Sequence, residues 1–72
     1  MKPFKDAIEA AQYVENFEGK ASDLKLVICD SLQDPVGKNM AIITDKIIGK
    51  GWEPIGYEEK EGYRVYTYKE MD

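Results

Sequence analysis

Cys29 is the only thiol in the chain, and it lies in the stretch VICDSLQDPVGKNM, where an apolar run gives way to a helical pattern. A thiol close to a helix N-terminus can ionise below its ordinary pKa and then act as a nucleophile or as a sulfur or redox carrier. The nearest predicted helix start is Asp34, and the carboxylate of Asp30 beside the thiol opposes a thiolate. The chain has no histidine to serve as a base. A buried structural cysteine is the favoured interpretation, with Cys29 as the one catalytic candidate.

Other catalytic and cofactor-binding patterns are not met. The stretch DSLQDPVGK lacks the glycine spacing and the Lys-Ser/Thr ending of a phosphate-binding loop. One cysteine excludes an internal disulfide and a Cys-x-x-Cys dithiol, and without histidine a Cys/His zinc site cannot form within one chain. Asp30 and Asp34 could hold magnesium weakly, but a loop residue and a helix cap explain them better. We therefore predict a domain that is not an enzyme and holds no metal or cofactor.

The charge pattern is acidic and scattered. Lys and Arg number 10 against 14 Asp and Glu, which gives a net charge of −4 and no basic face of the kind that nucleic-acid binding needs. The densest acidic group is Glu58, Glu59 and Glu61, in the predicted tip of a hairpin. A solvated turn explains this group; the alternative is an acidic inhibitor or adaptor that occupies a basic site on a partner.

The chain's length and apolar runs set its class. Its 72 residues make one small domain with a small core. The N-terminal stretch has no apolar block of signal-peptide length, and no run approaches the roughly 20 apolar residues of a membrane span. A single free cysteine suits a reducing compartment. We expect a cytoplasmic domain, residues 1–72, without membrane contact.

Periodicity predicts the element order α-β-α-β-β. Residues 3–18 have helical spacing, with Pro3 in the first turn and Gly19 ending the helix. The apolar face consists of Ala7, Ala10 or Ala11, Val14 and Phe17, with Phe4 and Ile8 beside it. Residues 23–29 form a strand. A second helix begins at Asp34 and Pro35 and presents Val36, Met40, Ile43, Ile47 and Ile48. WEPIGYEE and YRVYTYKE form a hairpin that turns at Gly62.

These elements fit an α/β (α+β) two-layer sandwich. A strand, helix and strand in one sheet make a right-handed crossover, and the last strand then lies between the two crossover strands, antiparallel to both. Pro54 cannot donate to a ladder, so its strand lies at an edge. We predict a three-stranded mixed sheet with the last strand central and both helices on one face.

That arrangement predicts two binding surfaces. Trp52, Tyr66 and Tyr68 are expected on the uncovered sheet face, where an aromatic patch with few charges is typical of a protein interface. Leu24 and Leu26 lie in the other edge strand, residues 24–28, whose apolar edge invites pairing with a second copy.

The stretch LKLVICDSLQDPVGKNMAIITDKIIGKGWEPIGYEEKEGYRVYTYKE resembles the C-terminal two thirds of the TusA/SirA-like sulfur-carrier domains. Its strand, the Asp34-Pro35 pair before a helix and the closing hairpin follow the course of that family over residues 24–70. The resemblance implies the same sheet order. The family's sulfur-carrying cysteine stands in a Cys-Pro-x-Pro motif that opens the first helix, where this chain reads MKPFKDAIEA, so the resemblance does not assign the carrier role to Cys29.

Three functions are consistent with these observations. The first is a small non-enzymatic protein-interaction domain with a sulfur-carrier-like fold, which binds a partner protein or itself. The second is a divergent sulfur or redox carrier that uses Cys29. The third is the acidic inhibitor or adaptor.

Overall fold

The computed structural model describes residues 2–72 and has the predicted order of helices and strands. Helix α1 spans Ala7–Asn16, β1 Lys25–Cys29, α2 Lys38–Gly49, β2 Trp52–Lys60 and β3 Tyr63–Glu70, and short 3-10 turns at Ala21–Asp23 and Asp30–Leu32 flank β1. The predicted two-layer α+β fold is confirmed.

The sheet has the strand order β1-β3-β2, so the last strand is central as predicted. Strand β3 pairs antiparallel with β1 on one side and with β2 on the other. The three-stranded sheet is therefore antiparallel rather than mixed, because β1 and β2 run in the same direction but do not touch. Pro54 lies on β2, the edge strand that its missing N–H demands.

The N-terminal segment is extended where the sequence predicted helix. The Phe4 N–H donates to the Val27 carbonyl at 2.9 Å, and the Cys29 N–H donates to the Phe4 carbonyl at 2.9 Å, in a parallel bridge. Helix α1 begins later because the Asp6 carboxylate caps it, accepting from the Ile8 N–H at 2.8 Å and the Glu9 N–H at 3.3 Å. The β1 edge that was predicted to be free for a second copy is thus occupied in its C-terminal half.

Helix α1 packs through small side chains, as its sequence predicted. Its buried residues are Ala7, Ala10, Ala11 and Val14. Phe17 packs at the rim of the core, but Ile8 is 60% exposed, so its predicted place beside the apolar face is wrong. The helix ends at Asn16, before Gly19, which takes its φ of 140° in the following loop.

Helix α2 begins at Lys38 and not at Asp34. The Gly37 N–H donates to the Asp34 carbonyl at 3.1 Å, and Gly37 has a φ of 69°. Asp at the first position, Pro at the second and Gly at the fourth also suit a type I turn, and this turn forms here instead of a helix start. The predicted apolar stripe shortens as a result. Ile43 and Ile47 are buried and Met40 packs against them, whereas Val36 and Ile48 are 72% and 53% exposed.

A bulge in β2 decides which side chains of that strand face the helices. Pro54 pairs with Tyr68 and Gly56 pairs with Thr67, so Ile55 is an extra residue without a partner on β3. The extra residue reverses the alternation. Trp52 and Tyr57 lie on the helix side of the sheet, although simple alternation places them on opposite faces.

The C-terminal ends of the two helices meet at Lys50. Its ammonium group donates to the carbonyls of Glu15 at 3.3 Å and Phe17 at 3.0 Å, and it lies 4.9 Å from the centroid of the Trp52 ring. Free carbonyls at a helix C-terminus carry partial negative charge, which a cation offsets. Lys50 therefore joins α1, α2 and the start of β2.

We predict that Lys50→Met destabilises the fold by about 1–2 kcal/mol, since it removes the cation from two carbonyls and from the Trp52 ring while retaining an apolar stem. Urea unfolding followed by tryptophan fluorescence measures the change. Lys38→Met, at the exposed start of α2, is the matched control and should alter stability by less than about 0.5 kcal/mol. Equal effects of the two substitutions would contradict the role assigned to Lys50.

Candidate protein-interaction surface

One face of the sheet has no helix over it. On β1 the burial alternates, with Leu26 and Ile28 fully buried under the helices and Val27 only half-buried on the other side. The strand registers place the corresponding residues of β2 and β3 beside Val27. We call this surface the open face. It consists of Lys25, Val27, Cys29, Glu53, Gly56, Glu58, Lys60, Tyr63, Val65, Thr67 and Lys69, together with the bulge residue Ile55.

The centre of the open face is apolar. Val27 lies opposite Val65, and Cys29 lies opposite Tyr63, in the antiparallel register of β1 and β3. All four are half-buried by their neighbours and still reach solvent. A patch of this kind, rimmed by charged side chains, is typical of a surface that contacts another molecule.

A depression of about 390 Å³ lies on this face at Gly56. Its other lining residues include Lys25, Ile55, Glu58, Val65 and Thr67. A Cβ added at Gly56 would meet no atom within 4 Å, so this position of the depression is open space. The depression can accept an apolar side chain from outside.

Ile55 stands at the border of the depression as a projection. Its side chain is 63% exposed, because the bulge removes it from the ladder and gives it no neighbour on β3. The bulge therefore places a projecting isoleucine and a vacant glycine position next to each other.

The charges of the open face nearly balance. Lys69 pairs with Glu53 at 3.3 Å, Lys60 pairs with Glu58 at 3.5 Å, and Lys25 lies at the β1 border. Three lysines and two glutamates give this face a formal charge of +1 in a chain whose net charge is −4. The face has no strong field of either sign to select an oppositely charged partner.

Cys29 lies at one end of the open face, half-buried and not paired in a disulfide. Hydrogen bonds from the Ser31 side chain, at 3.3 Å, and from the Ser31 main chain lower the pKa of the thiol, and the charge of Lys5 adds to this effect. Burial and the carboxylate of Asp30 act in the opposite direction. Sequence analysis identified that Asp30 opposes ionisation of the thiol, but it missed the hydrogen bond from Ser31. The available signal was a hydroxyl side chain only two residues after Cys29.

Several residues predicted to bind a partner are core residues. Trp52 and Tyr68 are 4% and 3% exposed beneath the helices, and burial raises the pKa of Tyr68 well above the usual range. Leu24 and Leu26 are fully buried. The predicted exposure of Trp52 and Tyr68 is wrong, because the bulge sends Trp52 inward and Tyr68 lies on the same side of the sheet. The side chain of Leu26 also points to the helix layer, so it offers no side-chain contact to a partner.

Tyr66 lies on the helix side, at the rim of the core, in a polar cluster at the hairpin end of the sheet. Its hydroxyl donates to the Gln33 side-chain oxygen at 3.2 Å, and Arg64 donates to the same oxygen at 3.3 Å. The Arg64 guanidinium also lies 4.4 Å from the centroid of the Tyr57 ring. These contacts tie the loop after β1 to the hairpin, so Tyr66 has a structural role in this arrangement.

The acidic residues of the hairpin do not form one surface. Glu58 belongs to the open face, whereas Glu59 points to the helix side and pairs with Arg64 at 3.3 Å. Glu61 lies in the turn between β2 and β3. An acidic contact through all three would need a partner that reaches around the end of the sheet.

No protein-family model, curated protein or solved structure matches this chain. The resemblance to the sulfur-carrier domains therefore stays a prediction. Within residues 2–72, no helix has the length and apolar character to cross a bilayer, and no group of three metal-ligating side chains comes together.

We predict that the Cys29 thiol titrates below the same thiol in the unfolded chain, because the Ser31 hydrogen bonds stabilise the thiolate. A lower pKa gives more thiolate at neutral pH, so the rate of iodoacetamide labelling should reach half its plateau at lower pH in the native protein than in the denatured one. Ser31→Ala should shift this midpoint upward, and the matched Ser22→Ala, an exposed serine away from the thiol, should not. Coincident midpoints for the native and denatured chains would contradict the assigned role of Ser31.

Proposed function

We propose that this chain is a non-enzymatic protein-interaction domain that binds a protein through the open face of its sheet. The observation that carries the proposal is the uncovered apolar centre at Val27, Val65 and Tyr63, next to the depression at Gly56. A charged rim surrounds this centre, and interfaces commonly have such an apolar core and polar rim. The surface differs from the one predicted from the sequence, but the class of function is the same.

The rest of the surface supports this choice. The helix side of the sheet is filled by the core, and the Phe4 bridge closes the C-terminal half of the β1 edge. The β2 edge carries Pro54 and a bulge, two devices that natural sheets use to prevent edge pairing. Among the faces and edges of the sheet, the open face is the one that none of these features closes.

The proposal that the domain is not an enzyme rests on its composition. The chain has no histidine and one cysteine, so the usual base and nucleophile pairs cannot be assembled within it. We further propose a sulfur-carrier-like fold and a cytoplasmic location, the latter from the single unpaired thiol.

The second candidate function is a sulfur or redox carrier that uses Cys29. The observation in its favour is the lowered pKa of the thiol beside Ser31. The labelling profile described above also tests this candidate, since a thiol that reacts no faster than a buried one cannot serve as a carrier.

We predict that Val65→Lys weakens partner binding, because it introduces a charge at the apolar centre of the open face. The new lysine lies opposite Glu58, so the fold should tolerate it. Ile42→Lys is the matched control, since Ile42 is 41% exposed on α2, in the other layer. Tagged proteins are exposed to extract of the native source with a cross-linker, and the retained proteins are quantified by mass spectrometry.

The expected result is a protein that the native chain and Ile42→Lys retain equally and that Val65→Lys retains about tenfold less, a loss worth about 1.4 kcal/mol. Circular dichroism and thermal unfolding establish that all three proteins are folded. Retention that is the same for the two variants, or a native chain that retains no other protein and does not associate with itself, would overturn the proposal.

A further inference from the structure

We propose that the occupant of the open face is a second copy of this chain, paired about a two-fold axis so that Ile55 of each copy enters the depression at Gly56 of the other. This inference rests on the proposed function and names the partner. It would make the protein a weak homodimer that associates face to face.

The first argument is shape. A surface that pairs with itself about a two-fold axis must carry both halves of each contact, since residue i of one copy meets residue j of the other and the reverse. Ile55 is the projecting half and Gly56 the vacant half, and both border the same depression. Because the two residues are adjacent, a two-fold axis that passes close to them makes both contacts at once.

The second argument is charge. Two copies of a chain with a net charge of −4 repel each other, and the repulsion is strongest where acidic surfaces meet. The open face has a formal charge of +1, with most of its charges already paired within the face. The acidic excess of each copy therefore lies on its other surfaces, away from the proposed contact.

The third argument is area, which also sets the expected strength. Three strands about 4.8 Å apart, with about eight residues at about 3.3 Å each, make a face of roughly 14 by 26 Å. Full overlap buries roughly 400 Å² per copy, about half of the 800 Å² that a standard stable interface buries per partner. We therefore expect a weak dissociation constant, between about 100 µM and about 1 mM.

The test is sedimentation of the full chain over a concentration series, from about 20 µM to about 1 mM, which brackets the expected dissociation constant. Ile55→Ser removes the projecting side chain, and Gly56→Leu fills the depression. Gly56→Leu meets open space, and Gly56 does not have a positive φ, so the fold should accept it. Ile48→Ser is the matched control, because Ile48 is a comparably exposed isoleucine on α2.

The expected result is a concentration-dependent dimer for the native chain and for Ile48→Ser, with at least tenfold weaker association for each face variant alone. An equal mixture of Ile55→Ser and Gly56→Leu should associate more strongly than either variant alone. In the mixed pair, Ile55 of the Gly56→Leu copy enters the open depression of the Ile55→Ser copy. At the other contact, the shortened side chain of the Ile55→Ser copy faces the filled depression, so the two do not clash.

Two outcomes would overturn the inference. The first is a native chain that stays monomeric throughout the series. The second is a dimer that both face variants preserve, or that their mixture fails to restore. If the chain is monomeric while Val65→Lys still loses a different captured protein, self-pairing is wrong and the proposed function stands; if neither self-association nor face-dependent capture occurs, both are wrong.

Discussion

The bulge at Ile55 is the constraint on which both layers of this protein depend. Without the extra residue, alternation along β2 would place Trp52 and Tyr57 on opposite faces of the sheet. With it, both lie on the helix side, where Trp52 is 4% exposed. Aromatic side chains dominate small cores, and removing a tryptophan from a core typically costs about 3–5 kcal/mol. A change in this register would therefore take away a large part of the stability of a domain of this size.

The same bulge shapes the uncovered surface. It leaves Ile55 without a neighbour on β3 and puts Gly56, which has no side chain, opposite Thr67. The burial of Trp52 and the open position at Gly56 thus both result from the same bulge in the backbone of β2. This explains why the candidate surface is found near the middle of β2 rather than at the aromatic residues that dominate the sequence.

Small residues and one lysine hold the helix layer in place. The buried alanines of α1 let its backbone lie close to α2, and Lys50 satisfies carbonyls at the end of α1 from the end of α2. Two helix C-termini close together would otherwise concentrate partial negative charge. The N-terminal segment adds a short parallel bridge at Phe4 to the outer edge of β1, next to the core residue Ile28.

The sequence by itself determined the order of the elements, the central position of the last strand, the edge position of Pro54 and the buried stripe of α1. These features follow from the periodicity within each segment and from the limits that short connections set on the order of strands. Neither requires knowledge of specific contacts between distant residues. Only the tertiary structure decided which face Trp52 and Tyr68 occupy, that Phe4 pairs with β1, and that Asp34 to Gly37 form a turn rather than a helix start. Each of these depends on contacts between residues distant in the chain, or on a competition between two local structures that the same residues suit. The candidate surface belongs to this second group, because an unpaired residue in a strand is defined only against its partner strand.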